Sequence, residues 1–412
     1  MSEIAPVRPL SRLQKWVIAF GLLSMGVGFT ISFVVAPPLA RDAGLTEVQV
    51  AGVLTTSALL YALFTPVWGR IANRYGRKRV MVFAMLATAV TNSFFLLTLD
   101  AALSGVFVGI QTFFLLAGVR IAFGLLSSGL QPAAFASMTD ATTYRDRAAG
   151  LGFLGAAMSV GSILGPAAAA ILARFGALAP LWGSVAFSAF CGLVVLFVLP
   201  KDEPHDATVK RPKPLSMNDA RVRPFFWLLI FYFMAVGIVQ QTLAWFAKDR
   251  YGLERAEAVE SAGWIFAVMA IAMVLVQTFY VNRFKPRPRF MLPIGLALVA
   301  VGYGLAIPHL PFWFVCLAFA VVGSGSALIV PALNALGTMA VGPEDQGSAA
   351  AVMASAPPFG FVLGPLIGAA LYMVHNDLPL TASALALVGL FIAVLVLMKD
   401  PEPVEPLAET QG

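Results

Sequence analysis

Charge is scarce in this sequence. Asp, Glu, Lys and Arg supply 12% of its 412 residues and apolar types 59%, against about 25% and 45–50% in a soluble globular domain. That balance excludes a water-soluble fold and suits a bilayer. Cysteine is nearly missing: Cys191 and Cys316 both fall inside apolar runs, which argues against a disulfide framework or a cysteine-based metal site. The three histidines, His205, His309 and His375, all lie between apolar runs. With no cluster of His, Cys, Asp and Glu at one depth, a membrane enzyme is not supported. No G-x-x-x-x-G-K-[ST] phosphate loop occurs, so nucleotide coupling is set aside and no cofactor or metal is expected. The net charge of +6 sits in short loops, not on the face or tail that nucleic-acid binding needs. A cleavable leader is not expected either, because the first apolar run begins near Trp16 and is too long for one.

Long apolar runs, by contrast, fill the chain. A helix needs about 20 apolar residues to cross the hydrocarbon core. Runs of that kind lie near 14–37, 48–68, 79–99, 108–136, 147–173 and 178–199. A second series lies near 225–247, 260–281, 290–308, 311–339, 345–373 and 379–398. Between them runs a polar stretch from Lys201 to Pro224, the longest in the chain and too short for a receptor or scaffold domain. The expected organisation is a six-helix half over 1–200, a linker over 201–223 and a second six-helix half over 224–412.

Orientation follows from Lys and Arg, because acids contribute little to that rule. One set of loops holds Arg8, Arg12 and Lys15, Arg70 to Arg79, Arg145 and Arg147, the basic linker, Arg283 to Arg289, and Lys399. The opposite set holds only Arg41, Arg174, Lys248, Arg250 and Arg255, with Arg120 alone inside the fourth span. The bias predicts that both termini and the linker face the cytoplasm.

The two halves also repeat. At an offset of 199 residues, Gly124 falls on Gly323, Ser127 on Ser326, Pro132 on Pro331, Thr139 on Thr338 and Asp146 on Asp345. Further along, Gly161, Leu164, Gly165 and Pro166 fall on Gly360, Leu363, Gly364 and Pro365. An ordered set at one offset is the mark of an internal duplication, and parallel six-helix repeats are a transporter arrangement.

Between the second and third spans the chain reads Gly69-Arg-Ile-Ala-Asn73-Arg74-Tyr-Gly76-Arg77-Lys78-Arg79. This resembles the signature loop of the major facilitator superfamily, G-x-L-a-D-r-x-G-r-k, with Asn73 where the family usually has Asp. In the family that acid braces the loop against the start of the eleventh helix, here Gly342-Pro343-Glu344-Asp345; without charge the latch should be weaker. The fourth span reads Leu116-x-x-x-Arg120-x-x-Phe123-Gly124, similar to the family's second motif. The fifth carries Gly161-x-x-x-Gly165-Pro166, similar to a motif of its drug:proton antiporter branch, and the eleventh repeats it as Gly360-x-x-x-Gly364-Pro365. Small residues at four-residue spacing let helices approach closely, and proline bends them. The resemblance implies an all-α membrane fold of about twelve transmembrane helices in two six-helix pseudo-repeats. It also implies an alternating-access transporter in the inner (plasma) membrane, working as a monomer.

Arg120, Gly124, Ser127 and Gln131 share one face of the fourth span, and a cation at mid-bilayer should face a cavity or a partner. By resemblance the cavity lies among the first, fourth, seventh and tenth spans. Its candidates are Phe29, Phe33, Arg120, Ser127, Gln131, Phe233, Gln240, Gln241 and Asn334, with Ser326 beside them. Aromatics, a few amides and one cation suit an amphipathic small molecule. Coupling is less legible, since no Asp or Glu sits mid-span. Protons acting at a helix-end acid such as Asp140, an anionic substrate paired with Arg120, and uncoupled diffusion all stay open. The leading expectation is proton-coupled export of amphipathic or drug-like compounds; the alternative is a carrier of an organic anion with Arg120 as counter-charge.

Overall fold

The computed structural model describes residues 10–142, 147–200, 215–342 and 345–397. Among them are twelve helices long and apolar enough to cross a membrane. They are α1 (Arg12–Asp42), α2 (Glu47–Tyr75), α3 (Arg77–Leu103), α4 (Ile110–Asp140), α5 (Gly150–Ala173) and α6 (Ala179–Val198). The second series is α7 (Arg223–Tyr251), α8 (Arg255–Phe284), α9 (Pro288–Ala306), α10 (Phe312–Met339), α11 (Ser348–Val374) and α12 (Leu378–Val396). No strand occurs among the described residues. A lone segment in lipid must satisfy its own backbone, and only a helix does so.

Every predicted span is present, with informative differences at the edges. The expected end of the first span at 37 fails: α1 continues through Pro37 and Pro38 to Asp42. Two prolines remove two backbone donors, yet Phe33 to Ala40 are buried without a break, so packing on all sides holds the helix where sequence alone would end it. The fourth span bends, with helix over Ile110–Ser127 and again over Leu130–Asp140. A π-helical stretch, Val276–Val281, carries α8 past its expected end. Several residues used above lie outside the described ones: Arg8, Arg145, Asp146, Pro343, Glu344, Lys399 and most of the linker, His205 included.

The repeated glycines explain how the helices close. A Cβ on Gly161 would sit 2.1 Å from the Leu23 carbonyl oxygen, and one on Gly165 would sit 2.0 Å from Thr30 Oγ1. Those contacts seat α5 on α1. In the second half, a Cβ on Gly360 or Gly364 would come within 2.7 Å of α7, at Met234 N and Met234 O respectively, so α11 sits on α7 in the same way. Gly124 and Gly323 repeat the pattern: a Cβ would lie 2.8 Å from Ser57 O on α2 and 2.0 Å from Met269 O on α8. Overpacking of this kind costs about 1–3 kcal/mol or more per site. Between the two series, α1 packs on α7, α2 on α11 and α5 on α8.

Candidate transport pathway

The junction of α1, α7 and α11 holds an aromatic node. Phe29 and Phe33, one helical turn apart on α1, have ring centroids 4.8 Å apart. Phe361 of α11 lies 5.9 Å from Phe29, 6.3 Å from Phe33 and 5.4 Å from Phe233 of α7. Three of the four were expected from sequence; Phe361 was missed, although it directly follows Gly360 of the repeated motif. Edge-on and tilted pairs at these separations are worth about 0.5–1.5 kcal/mol each beyond the area they bury. Phe33 is buried, but Phe29 keeps 40% of its surface exposed while its ring faces the opposite half. A Cβ on the neighbouring Gly28 would meet nothing within 4 Å. The node is therefore not sealed on every side: Phe29 is exposed and Phe233 and Phe361 are partly so.

Arg120 lies elsewhere. Its guanidinium stacks 3.9 Å above the Phe95 ring of α3 and 5.5 Å from Phe123, and Nη1 donates to Asn92 Oδ1 at 3.4 Å. Nε and Nη2 are buried without a hydrogen-bond partner among the described residues. Gly124 presses on α2 and the Ser127 hydroxyl is buried unpaired, so this stripe turns into the packing of α2, α3 and α4. Arg120 makes no contact with the aromatic node among the described residues. Asn92 and Phe95 were not singled out from sequence; a lone amide in the third span was the available signal. Of the remaining candidates, Gln131, Gln240 and Asn334 are partly exposed. Gln241 is fully buried with both amide atoms unpaired.

The two ends of the bundle are built differently. At one end, Gly76 alone joins α2 to α3 with φ of 108°, a conformation that favours glycine. That single residue accounts for the second glycine of the 69–79 loop. Here Arg77 Nη2 pairs with Asp140 Oδ2 at 2.9 Å, so the candidate coupling acid is held by the signature loop. Asn73 Oδ1 is buried without a partner among the described residues. Across the second half, Leu215 N donates to Ser348 Oγ at 2.6 Å and Arg221 reaches Asp345 at 3.3 Å. Arg221 also holds the Asp219 carboxyl below its ordinary range through direct hydrogen bonds.

The opposite end closes across the halves. Arg41 Nη1 meets Asp249 Oδ2 at 2.6 Å, Lys248 pairs with Asp42, Arg255 Nε reaches Asp42 Oδ2 at 2.9 Å, and Arg174 reaches Glu260 at 2.9 Å. The Tyr372 hydroxyl donates to Asp249 at 2.8 Å. Below these pairs, Phe33 to Ala40 on α1 and Gln241 to Ala247 on α7 are buried on all sides. A cavity of about 370 Å³ beside Asp249 and Asp377 takes in His309 and His375.

The sequence matches the Major Facilitator Superfamily over residues 18–356 and 281–412. The chain belongs to that superfamily. This facilitator is 27% identical over 390 residues to solute carrier family 22 member 18 of Mus musculus, covering 90% of this chain and 92% of the relative. It is 24% identical over 385 residues to multidrug resistance protein 2 of Bacillus subtilis (strain 168), covering 90% and 91%. Its fold matches the nucleoside transporter NupG with a TM-score of 0.73 at 13% identity, covering 94% of this chain and 100% of that one. The facilitator is thus a multi-pass membrane transporter, closed at the end that carries Arg41 and Asp249.

Proposed function

We propose that this facilitator exports small amphipathic or drug-like compounds by alternating access, coupled to protons. The observation that carries the reading is the aromatic node: four phenylalanines from both halves, three of them at least part-exposed, converge where α1, α7 and α11 meet. Such a surface binds by apolar contact and stacking and tolerates varied shapes. The similarity to a relative named for multidrug resistance supports it. In this reading the substrate meets Phe29, Phe33, Phe233 and Phe361, with Gln131, Gln240, Gln241 and Asn334 offering hydrogen bonds. The six-helix halves over 1–200 and 224–412 rock about that site as a monomer in the plasma membrane. In this reading the termini and the linker face the cytoplasm, which the Lys and Arg distribution supports. Asp140 is the proton-coupling candidate, and its pairing with Arg77 links any change in its charge to the signature loop.

One observation favours the organic-anion alternative. Arg120 is a buried cation with two unpaired nitrogens and no carboxylate beside it among the described residues, and such a charge in a membrane interior calls for a counter-charge.

Transport in proteoliposomes decides between the two, with cationic, neutral and anionic amphipaths and with or without a pH gradient. Export predicts that cationic or neutral compounds accumulate only when the gradient is imposed. Phe361→Ala should then raise KM about 3–30-fold, the equivalent of losing roughly 0.5–2 kcal/mol of aromatic contact. Movement of anions alone, abolished by Arg120→Ala, would replace the export reading with the anion carrier.

A further inference from the structure

The end closed by ion pairs has a symmetry that the packing alone does not require. Arg41-Asp42 ends α1, and Lys248-Asp249 stands near the end of α7, each a basic residue followed by an acidic one. Their pairing is crossed: Arg41 meets Asp249 and Lys248 meets Asp42. We propose that these four residues form a crossed charge clamp, the gate at this end of the transport pathway, with Asp42 as its principal strut. The proposal rests on alternating access, but not on what is carried or in which direction.

The charge arithmetic suits a gate that must open repeatedly. Each dipeptide is neutral in sum, so on parting, the four clamp residues leave no net charge of their own on either half. Two of the four residues also have partners within their own half. Arg41 Nε lies 3.1 Å from Glu47, and Asp249 accepts from the Tyr372 hydroxyl; both contacts survive separation. Asp42 differs. Its cations, Lys248 and Arg255, both come from the opposite half, and it has no ion pair within its own half among the described residues. Its side chain is 14% exposed, against 22% for Asp249, so it is the better shielded of the two carboxylates from solvent and salt. Removing the Asp42 charge would leave Lys248 and Arg255, two cations of the same half, without an acid across the seam. Removing that of Asp249 would still leave Arg41 its bond to Glu47. The two carboxylates are therefore predicted to be unequal.

The test is a distance measurement between spin labels at Val106→Cys and His309→Cys in the full chain, with Cys191 and Cys316 replaced by Ala. Both label positions are exposed at the clamp end, on opposite halves, and neither takes part in an ion pair above. The starting protein should give a predominantly short distance. Asp42→Asn should raise the separated population about tenfold, Asp249→Asn about threefold, and high salt should move the starting protein the same way. Lys248→Asp should open the gate, and adding Asp42→Lys to it should restore much of the short distance. Asp42→Asn keeps the shape of the residue, so a correctly folded protein is expected; its monodispersity in detergent checks this. An unchanged distance in folded Asp42→Asn, or no recovery in the charge-swapped pair, overturns the clamp. If the distances respond as stated but no amphipath is transported, the clamp stands and only the export reading falls.

Discussion

The same interface between halves carries charge differently at its two ends. At the clamp end, four ion pairs cross the seam among the described residues. Beneath them α1 and α7 are buried all round. At the loop end, which holds more of the chain's Lys and Arg, the described ion pairs stay on one side of the seam: Arg77 with Asp140, and Arg221 with Asp219 and Asp345. Asn73, at the position where the superfamily's signature loop usually carries an acid, is uncharged and its oxygen is unpaired among the described residues. The difference shows that an excess of positive charge at one end does not by itself pair the two sides of the seam. Ion pairs across the seam need opposite charges on opposite sides, and only the clamp end shows such pairs among the described residues. An alternating-access carrier with one charged gate and one uncharged latch should rest with the charged gate shut.

The comparison breaks most completely by wedging the clamp end open. Gly263 of α8 lies against α5, and a Cβ there would sit 2.9 Å from both the Pro166 carbonyl oxygen and the Ala170 Cβ. This contact crosses the seam, so a larger side chain obstructs closure while leaving the packing within each half intact. Gly263→Leu is expected to populate the long Val106–His309 distance almost entirely and to reduce transport at least tenfold, consistent with an overpacking cost of about 1–3 kcal/mol or more. Normal transport in this variant would mean that α5 and α8 do not need this approach during the cycle.

A smaller effect should follow from charging the uncharged latch. In the present state the Asn73 oxygen has no partner among the described residues, so burying a carboxylate there in Asn73→Asp is expected to be unfavourable. With the loop end closed it would meet the start of α11, where a helix N-terminus favours negative charge by about 0.3–1 kcal/mol, or up to ~2 when partly buried. Both terms favour the state with the clamp open. A shift of about 3–10-fold in the two spin-label populations is expected, with the same sign as Asp42→Asn. A shift toward the short distance would remove Asn73 from the latch.

The twelve spans and their repeat were legible because hydropathy over about 20 residues is a local property, and lipid leaves no alternative to helix. Glycine spacing was legible for a related reason: Gly161, Gly165, Gly360 and Gly364 mark backbone approach wherever they dock. What sequence did not reveal depends on contacts between distant segments. Phe361 is one apolar residue in an apolar helix until the fold sets it against Phe29, Phe33 and Phe233. Arg120 reads as a cavity residue from its polar stripe, yet that stripe faces the helices packed beside it. The clamp had a visible trace in the basic–acidic dipeptides at 41–42 and 248–249. Counted as loop charges, they spoke only to orientation.

The smallest expected effect sharpens the comparison by ranking pairs within the clamp end itself. Arg174 and Glu260 also cross the seam at 2.9 Å, but Arg174 is 61% exposed in its side chain, against 32% for Arg41 and 22% for Lys248. An exposed pair gives up side-chain freedom to hold its geometry, and water and salt screen it, so its net worth is about 0.2–1 kcal/mol. Arg174→Ala should therefore change the separated population by about twofold or less, below the effect of Asp249→Asn, and the change should vanish in high salt. Glu260 would keep its contact with Trp264 Nε1, which limits the cost further. If Arg174→Ala instead opened the gate as far as Asp42→Asn, exposure would not be what ranks these pairs, and the clamp would have to be redrawn around α5 and α8 instead of α1 and α7.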